Sequence, residues 1–178
     1  MIRPKPDLTL DMYADSNFAG LWGAEDPNDS TCVKSRTGYI LTLGGTPVLW
    51  ASKLQSLIAL SMAEAEYCAL SMAMRALLPV RALFFSLAET LNVSHNDTTK
   101  VCSVWEDNNA ALKMATSDFL NMSPRTKHIA IHYHWFKQFI GDDIKVKRID
   151  TEVQKADIFT KGLGKKEFEE KRKMILGW

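Results

Sequence analysis

The chain has 178 residues, 46% of them hydrophobic and 24% charged, which is the composition of an ordinary globular protein and the length of one domain, so a single core is expected. No run of eighteen apolar residues occurs, and the start MIRPKPDLTL lacks the apolar stretch of a secretory signal, so the sequence reads as soluble and intracellular rather than membrane-inserted or secreted. The net charge of +1 conceals an asymmetry: residues 1–120 carry 9 Lys and Arg against 13 Asp and Glu, whereas residues 121–178 carry 13 against 8, a basic end that suits phosphates, although a charge run is more often just a solvated face.

In chain order, LTLDMYAD (8–15) alternates and ends in an acid, which reads as a strand. GLWGAEDPNDSTCVKSRTG (20–38) holds Gly, Pro, Asn and Asp at the density of a long loop. GYILTLGG and TPVLWAS form two further strands joined at Gly44-Gly45, a dipeptide suited to a tight hairpin. From Ser61 to about Leu91 the periodicity turns helical, and Pro79 is expected to kink or split that helix.

TKVCSVWED (99–107) is a strand ending in acids, followed at once by a helix in NNAALKMA. Ser123-Pro124 caps a helix predicted to run to about Ile140, Gly141-Asp142-Asp143 ends it, and IKVKRID is the fifth strand. A short helix is expected in VQKADIFTKG, ending at Gly162, and a polar one in KKEFEEKRKMI. Residues 1–163 are thus expected to form one domain and 164–178 a C-terminal polar helix or tail. This order calls for an α/β fold, a five-stranded mixed sheet of a three-strand antiparallel meander plus parallel strands, flanked by helices. Asp15 and Asp107 stand at strand ends, where ligands gather in such sheets.

MAEAEYCALSMA (62–73) sets two acids inside an apolar helix. On a helical wheel, Ala59, Met62, Ala63, Ala69, Leu70, Ala73 and Leu77 surround Glu66, which places its carboxyl on the buried stripe. Ser61, Cys68, Ser71 and Arg75 surround Glu64, which reads as solvated. A carboxylate on a core-facing stripe must be paired, protonated or bound to a cation. Cys32, Cys68 and Cys102 are odd in number and far apart, which favours buried thiols over a disulfide framework or zinc site. His128 and His132 stand four apart in HIAIH, without the Glu of HExxH or a nearby cysteine, so zinc is not expected there.

The stretches YADSNFAG, SRTGYILTLGG, WASKLQSLIALSMAEAEYCALS, EDNNAALKMA, RTKHIAIHYHWFKQ and KADIFTKGL, together spanning Tyr13 to Leu163, resemble the ribonuclease H domain of copia-type long-terminal-repeat retrotransposons. The resemblance implies a ribonuclease H-like fold. It also implies a centre in which Asp15 (YAD), Glu66 (EAEY), Asp107 (EDNN) and Asp157 (KADIF) hold two Mg²⁺ ions, with Mn²⁺ a possible substitute. Family members often carry a second Asp two residues after the first, where this chain has Asn17. All-oxygen ligand sets suit Mg²⁺, and two such ions roughly 3.5 to 4 Å apart can activate water and stabilise the leaving 3′ oxygen.

The implied activity is hydrolysis of the RNA strand of RNA/DNA hybrids during reverse transcription, leaving 3′-hydroxyl and 5′-phosphate ends. The implied partners are the hybrid and the reverse transcriptase domain of the same polyprotein, in a cytoplasmic virus-like particle or in the nucleus. Two other readings keep the fold: an inactive remnant that binds nucleic acid or supports a polymerase, and an integrase-like strand transferase, which the motif set disfavours. Asn17, Lys53, Gln55, Asn108, Asn109, Arg125, Lys127 and His128 are candidates for contacts to the nucleic-acid backbone or 2′-hydroxyl groups, each also readable as an ordinary polar residue. The histidine that several ribonucleases H place just before the last acid is missing from RIDTEVQKADIF.

Overall fold

The computed structural model describes residues 5, 8–23, 26, 28–93, 101–117 and 134–178. Five strands, β1 (Leu10–Asn17), β2 (Arg36–Leu43), β3 (Thr46–Leu54), β4 (Cys102–Glu106) and β5 (Ile144–Arg148), form one sheet in the order β3-β2-β1-β4-β5. β1, β2 and β3 are antiparallel neighbours, and β4 joins β1 in parallel with β5 parallel to it, which is the expected mixed sheet. Gly44 and Gly45 make the two-residue turn between β2 and β3 with φ of 53° and 78°, left-handed values that a side chain would oppose.

The first helix, α1 (Met62–Thr90), packs across β1 and β2; α2 (Asn109–Thr116) lies beside it and α3 (Lys165–Leu176) closes the C-terminus. Leu10, Met12 and Ala14 of β1 meet Leu70, Ala73, Met74 and Leu77 of α1, and Val104, Ile144 and Phe136 extend the same core. α1 is long and apolar enough to cross a membrane by length and composition. Its inner face is nevertheless spent on the sheet. Cys32, Cys68 and Cys102 are buried thiols outside any disulfide.

Pro79 does not split α1. Pro79 and the residue four before it, Arg75, both lie on the exposed side, so the carbonyl deprived of its amide partner can face water. The helix predicted from Ser123 lies outside the described residues up to 133, and its end, His134–Phe139, is a 3₁₀ helix. The short helix expected in VQKADIFTKG is instead two 3₁₀ turns, Thr151–Val153 and Lys155–Phe159, the second packed on the face of β1 and β2.

Candidate metal centre

β1 and β4 run parallel with Tyr13 opposite Trp105. Two residues further along stand Asp15 and Asp107, so this register brings both carboxylates to the same edge of the sheet and, by the two-residue pleat, to the same face. Glu66 enters from the first turns of α1. One carboxylate oxygen from each of Asp15, Glu66 and Asp107 lies within 4.8 Å of the other two. Asp15 and Glu66 are buried, and Asp107, half-buried, accepts a 2.7 Å hydrogen bond from the Thr151 hydroxyl.

Burial, followed by the neighbouring carboxylates of Glu106, Asp15 and Asp107, pushes Glu66 up to about 10. Asp15 rises to about 6, again chiefly through burial, against the opposing pull of the Lys161 ammonium and the Thr160 hydroxyl. Glu66 Oε2 is buried without a hydrogen-bond partner. An orphan carboxylate oxygen in a water-poor site is costly unless something cationic meets it. The three acids offer hard oxygen donors only, the set that a Mg²⁺-sized cation prefers, so these residues fit one divalent ion.

No family model matches the chain. It is 30% identical over 164 residues, 92% of its length, to the retrovirus-related Pol polyprotein from transposon TNT 1-94 of Nicotiana tabacum. It is also 30% identical over 163 residues, 91% of its length, to the Pol polyprotein from transposon RE1 of Arabidopsis thaliana. The chain spans about a tenth of these relatives, 11% and 10% of their lengths. Among solved structures, ribonuclease H1 of the archaeon Halobacterium salinarum superposes with a TM-score of 0.50 at 15% identity, covering 83% of this chain and 90% of that one. A compost-derived ribonuclease H1, LC11, in complex with an RNA/DNA hybrid gives 0.51 at 14% identity, covering 84% and 91%.

The chain is a Pol-polyprotein relative with the ribonuclease H fold. In this ribonuclease H-fold chain the fourth expected acid stands apart from the other three. Asp157 is buried in the 3₁₀ turn, and both of its oxygens are taken by ammonium groups: Oδ1 by Lys161, Oδ2 by Lys171 at 2.7 Å. Lys161 reaches onward to Asp15 Oδ1 at 3.4 Å, so one ammonium links Asp157 to the three-acid cluster. Lys171, from α3, also donates to the carbonyls of Thr151, Glu152 and Gln154 at 2.8, 3.1 and 2.9 Å.

Gly38 sits opposite Asp15 in the β1–β2 register. A Cβ there would fall 2.6 Å from Thr160 Cγ2 and 2.8 Å from Phe159 Cβ. The missing side chain therefore lets the Asp157 turn lie against the sheet, where the Thr160 hydroxyl donates to Asp15 Oδ2.

Glu64 corrects the wheel. It is buried rather than solvated, because it belongs to the helix start: its N–H donates to Ser61 Oγ at 3.2 Å, and its Oε2 accepts from Leu60 N–H at 2.6 Å. Met62, expected on the buried stripe, is exposed because the helix has only begun there. Gln55 is a structural brace rather than a surface contact: buried, it donates to Thr37 Oγ1 at 3.0 Å and to the Ala65 carbonyl at 2.8 Å.

Asn108 is the N-cap of α2, its Oδ1 accepting from the N–H groups of Ala110 and Ala111, and Asn109 Oδ1 accepts from the Arg148 guanidinium. Asn17 donates to the Thr160 carbonyl at 3.3 Å, and Lys53 is exposed on the edge strand β3. Arg125, Lys127 and His128 lie outside the described residues.

Sequence reasoning missed Glu106, Thr160, Lys161 and Lys171 as parts of this site. Glu106 is fully buried with Oε2 unpartnered, and burial, reinforced by Asp107 and Asp15, holds it well above the usual carboxylate range. For Lys171 a signal existed: it stands four residues before Ile175, on the one stripe of α3 that is buried.

Proposed function

We propose that this chain is a divalent-metal-dependent endonuclease that hydrolyses the RNA strand of RNA/DNA hybrids while a retrotransposon RNA is reverse-transcribed, acting beside the reverse transcriptase domain of the same polyprotein. The observation that carries the reading is the meeting of Asp15, Glu66 and Asp107 within 4.8 Å around an unpartnered, buried Glu66 oxygen. Asp15, Glu66 and Asp107 would hold the ion, Mg²⁺ by the hardness of the donor set and Mn²⁺ as its substitute. When bound, such an ion polarises the phosphodiester and makes an attacking water more acidic.

The chain's own residues prepare the site. The hydroxyls of Thr160 and Thr151 each occupy one oxygen of Asp15 and of Asp107, which restricts rotation of both carboxylates. Glu66 is fixed by a helix whose N-terminus is capped by Ser61 and Glu64 and braced by Gln55. Lys53 and Asn17, with Arg125, Lys127 and His128, are the side chains we assign to the nucleic-acid backbone. Recognition through phosphates and 2′-hydroxyls distinguishes RNA from DNA with little base readout, so sequence preference should be weak.

The test is incubation of a labelled RNA/DNA hybrid with Mg²⁺ and wild-type, Glu66→Gln or Glu64→Gln protein. Cleavage should fall by about a hundredfold or more in Glu66→Gln and persist in Glu64→Gln, with duplex DNA and duplex RNA left intact. A hybrid that is bound yet never cut, even with the polymerase partner supplied, would show a binding remnant instead.

A further inference from the structure

The two lysines on Asp157 differ in kind. Lys171 is buried and divides its hydrogens among three carbonyls and one carboxylate, so it ties α3 to the turn. Lys161 comes in from the surface, its side chain 36% exposed, and sets its ammonium between Asp157 Oδ1 and Asp15 Oδ1. Its reach is built into the backbone: Lys161 N–H donates to the Asp157 carbonyl at 3.0 Å, which places the side chain one turn above the acid it meets.

We propose that Lys161 is the chain's own cation in the Asp15–Asp157 half of the site, so that the acids take up one divalent ion, at Asp15, Glu66 and Asp107, where four free carboxylates would take two. The inference rests on the divalent-ion reading above and deepens it. A second ion bridging Asp15 and Asp157 would need oxygens that ammonium groups already occupy.

The ammonium is held between two carboxylates, 3.4 Å from Asp15 Oδ1 and paired with Asp157 Oδ1. A lysine cannot polarise a phosphoryl oxygen as a divalent ion does; as a point charge it can pair with Asp157 and face a substrate phosphate. The same side chain lines a polar pocket of about 280 Å³ with Asn17, Lys34 and Arg36, a surface of one charge sign beside the acids.

The experiment is a Mn²⁺ titration of the full chain without nucleic acid, with free and bound ion counted by electron paramagnetic resonance. Wild type and Lys161→Arg should bind one Mn²⁺. Lys161→Met should bind a second, or bind it at least tenfold more tightly, with an unchanged circular dichroism spectrum; Lys161→Gln replaces it if the Met variant does not fold. Glu66→Gln should lose the wild-type ion. Two ions in wild type, or a single site in both Lys161→Met and Lys161→Gln, would overturn the proposal while leaving the nuclease reading standing. No bound Mn²⁺ in any form would sink the divalent-ion reading and the proposal together.

Discussion

Lys171 Nζ lies 2.7 Å from Asp157 Oδ2, and both groups are almost wholly buried. This pair joins the C-terminal helix to the turn that carries the fourth acid, and the carbonyls of Thr151, Glu152 and Gln154, just before that turn, share the same ammonium. A buried lysine with four acceptors is tolerable only because every hydrogen is placed.

Replacing Lys171 with Met removes the cation and leaves Asp157 Oδ2 and three carbonyls facing an apolar chain. Denaturant unfolding should show a loss of about 3–5 kcal/mol, the usual cost of breaking one partner of a buried pair. Lys165→Met, a change at an exposed position on the same helix, should leave stability within about 0.5 kcal/mol of wild type.

Gly38→Ala tests how the turn is seated. The new methyl would stand 2.6 Å from Thr160 Cγ2, 2.8 Å from Phe159 Cβ and 3.0 Å from the Ala156 carbonyl oxygen, so the turn must move away from β2. We expect a stability loss of about 1–3 kcal/mol, as for overpacking elsewhere. Mg²⁺ affinity should fall with it, because Thr160 would no longer orient Asp15; calorimetric titration measures this. Gly162→Ala, where a Cβ meets nothing within 4 Å, is the control.

The acid cluster makes stability depend on pH. Asp15 is raised from 3.8 to about 6 and Glu66 from 4.5 to about 10, so the folded chain holds these protons more tightly than the unfolded one. The stabilisation is complete below the unfolded values, near pH 4, and is lost as pH rises through 6 and on toward 10. In EDTA the melting temperature should therefore fall between about pH 5 and about pH 8. Added Mg²⁺, which binds the ionised form, should restore it, with the larger gain at the higher pH. A melting temperature indifferent to both variables would contradict this account.

His134 works in the opposite sense. Its Nδ1 is hydrogen-bonded to the Tyr67 hydroxyl in the core, and burial first, then Lys137, lowers the imidazole from 6.5 to about 4. The unfolded chain thus takes up the proton first, and stability drops as pH falls from 6.5, levelling off near 4. Proton NMR of the His134 ring should find it still neutral at about pH 5. Tyr67→Phe, which leaves the buried imidazole without this partner, should cost about 1–3 kcal/mol.

Local pattern was enough to determine the strands, the Gly44-Gly45 turn and the direction of Glu66, because alternation and helical periodicity are properties of neighbouring residues. Asp15 and Asp107 were legible for the same reason, each being the acid at the end of an apolar run. Glu64 misled the wheel because a helix wheel assigns faces and ignores ends, and Glu64 is held by the helix N-terminus. Only the tertiary structure decided how Asp157 is held. Its partner Lys171 belongs to another element, and Lys161 joins it to Asp15, 146 positions away in the chain. Such pairings depend on how the chain crosses itself: three acids meet because two parallel strands and one helix converge, while the fourth is met by Lys161 one turn on and by Lys171 from a separate helix.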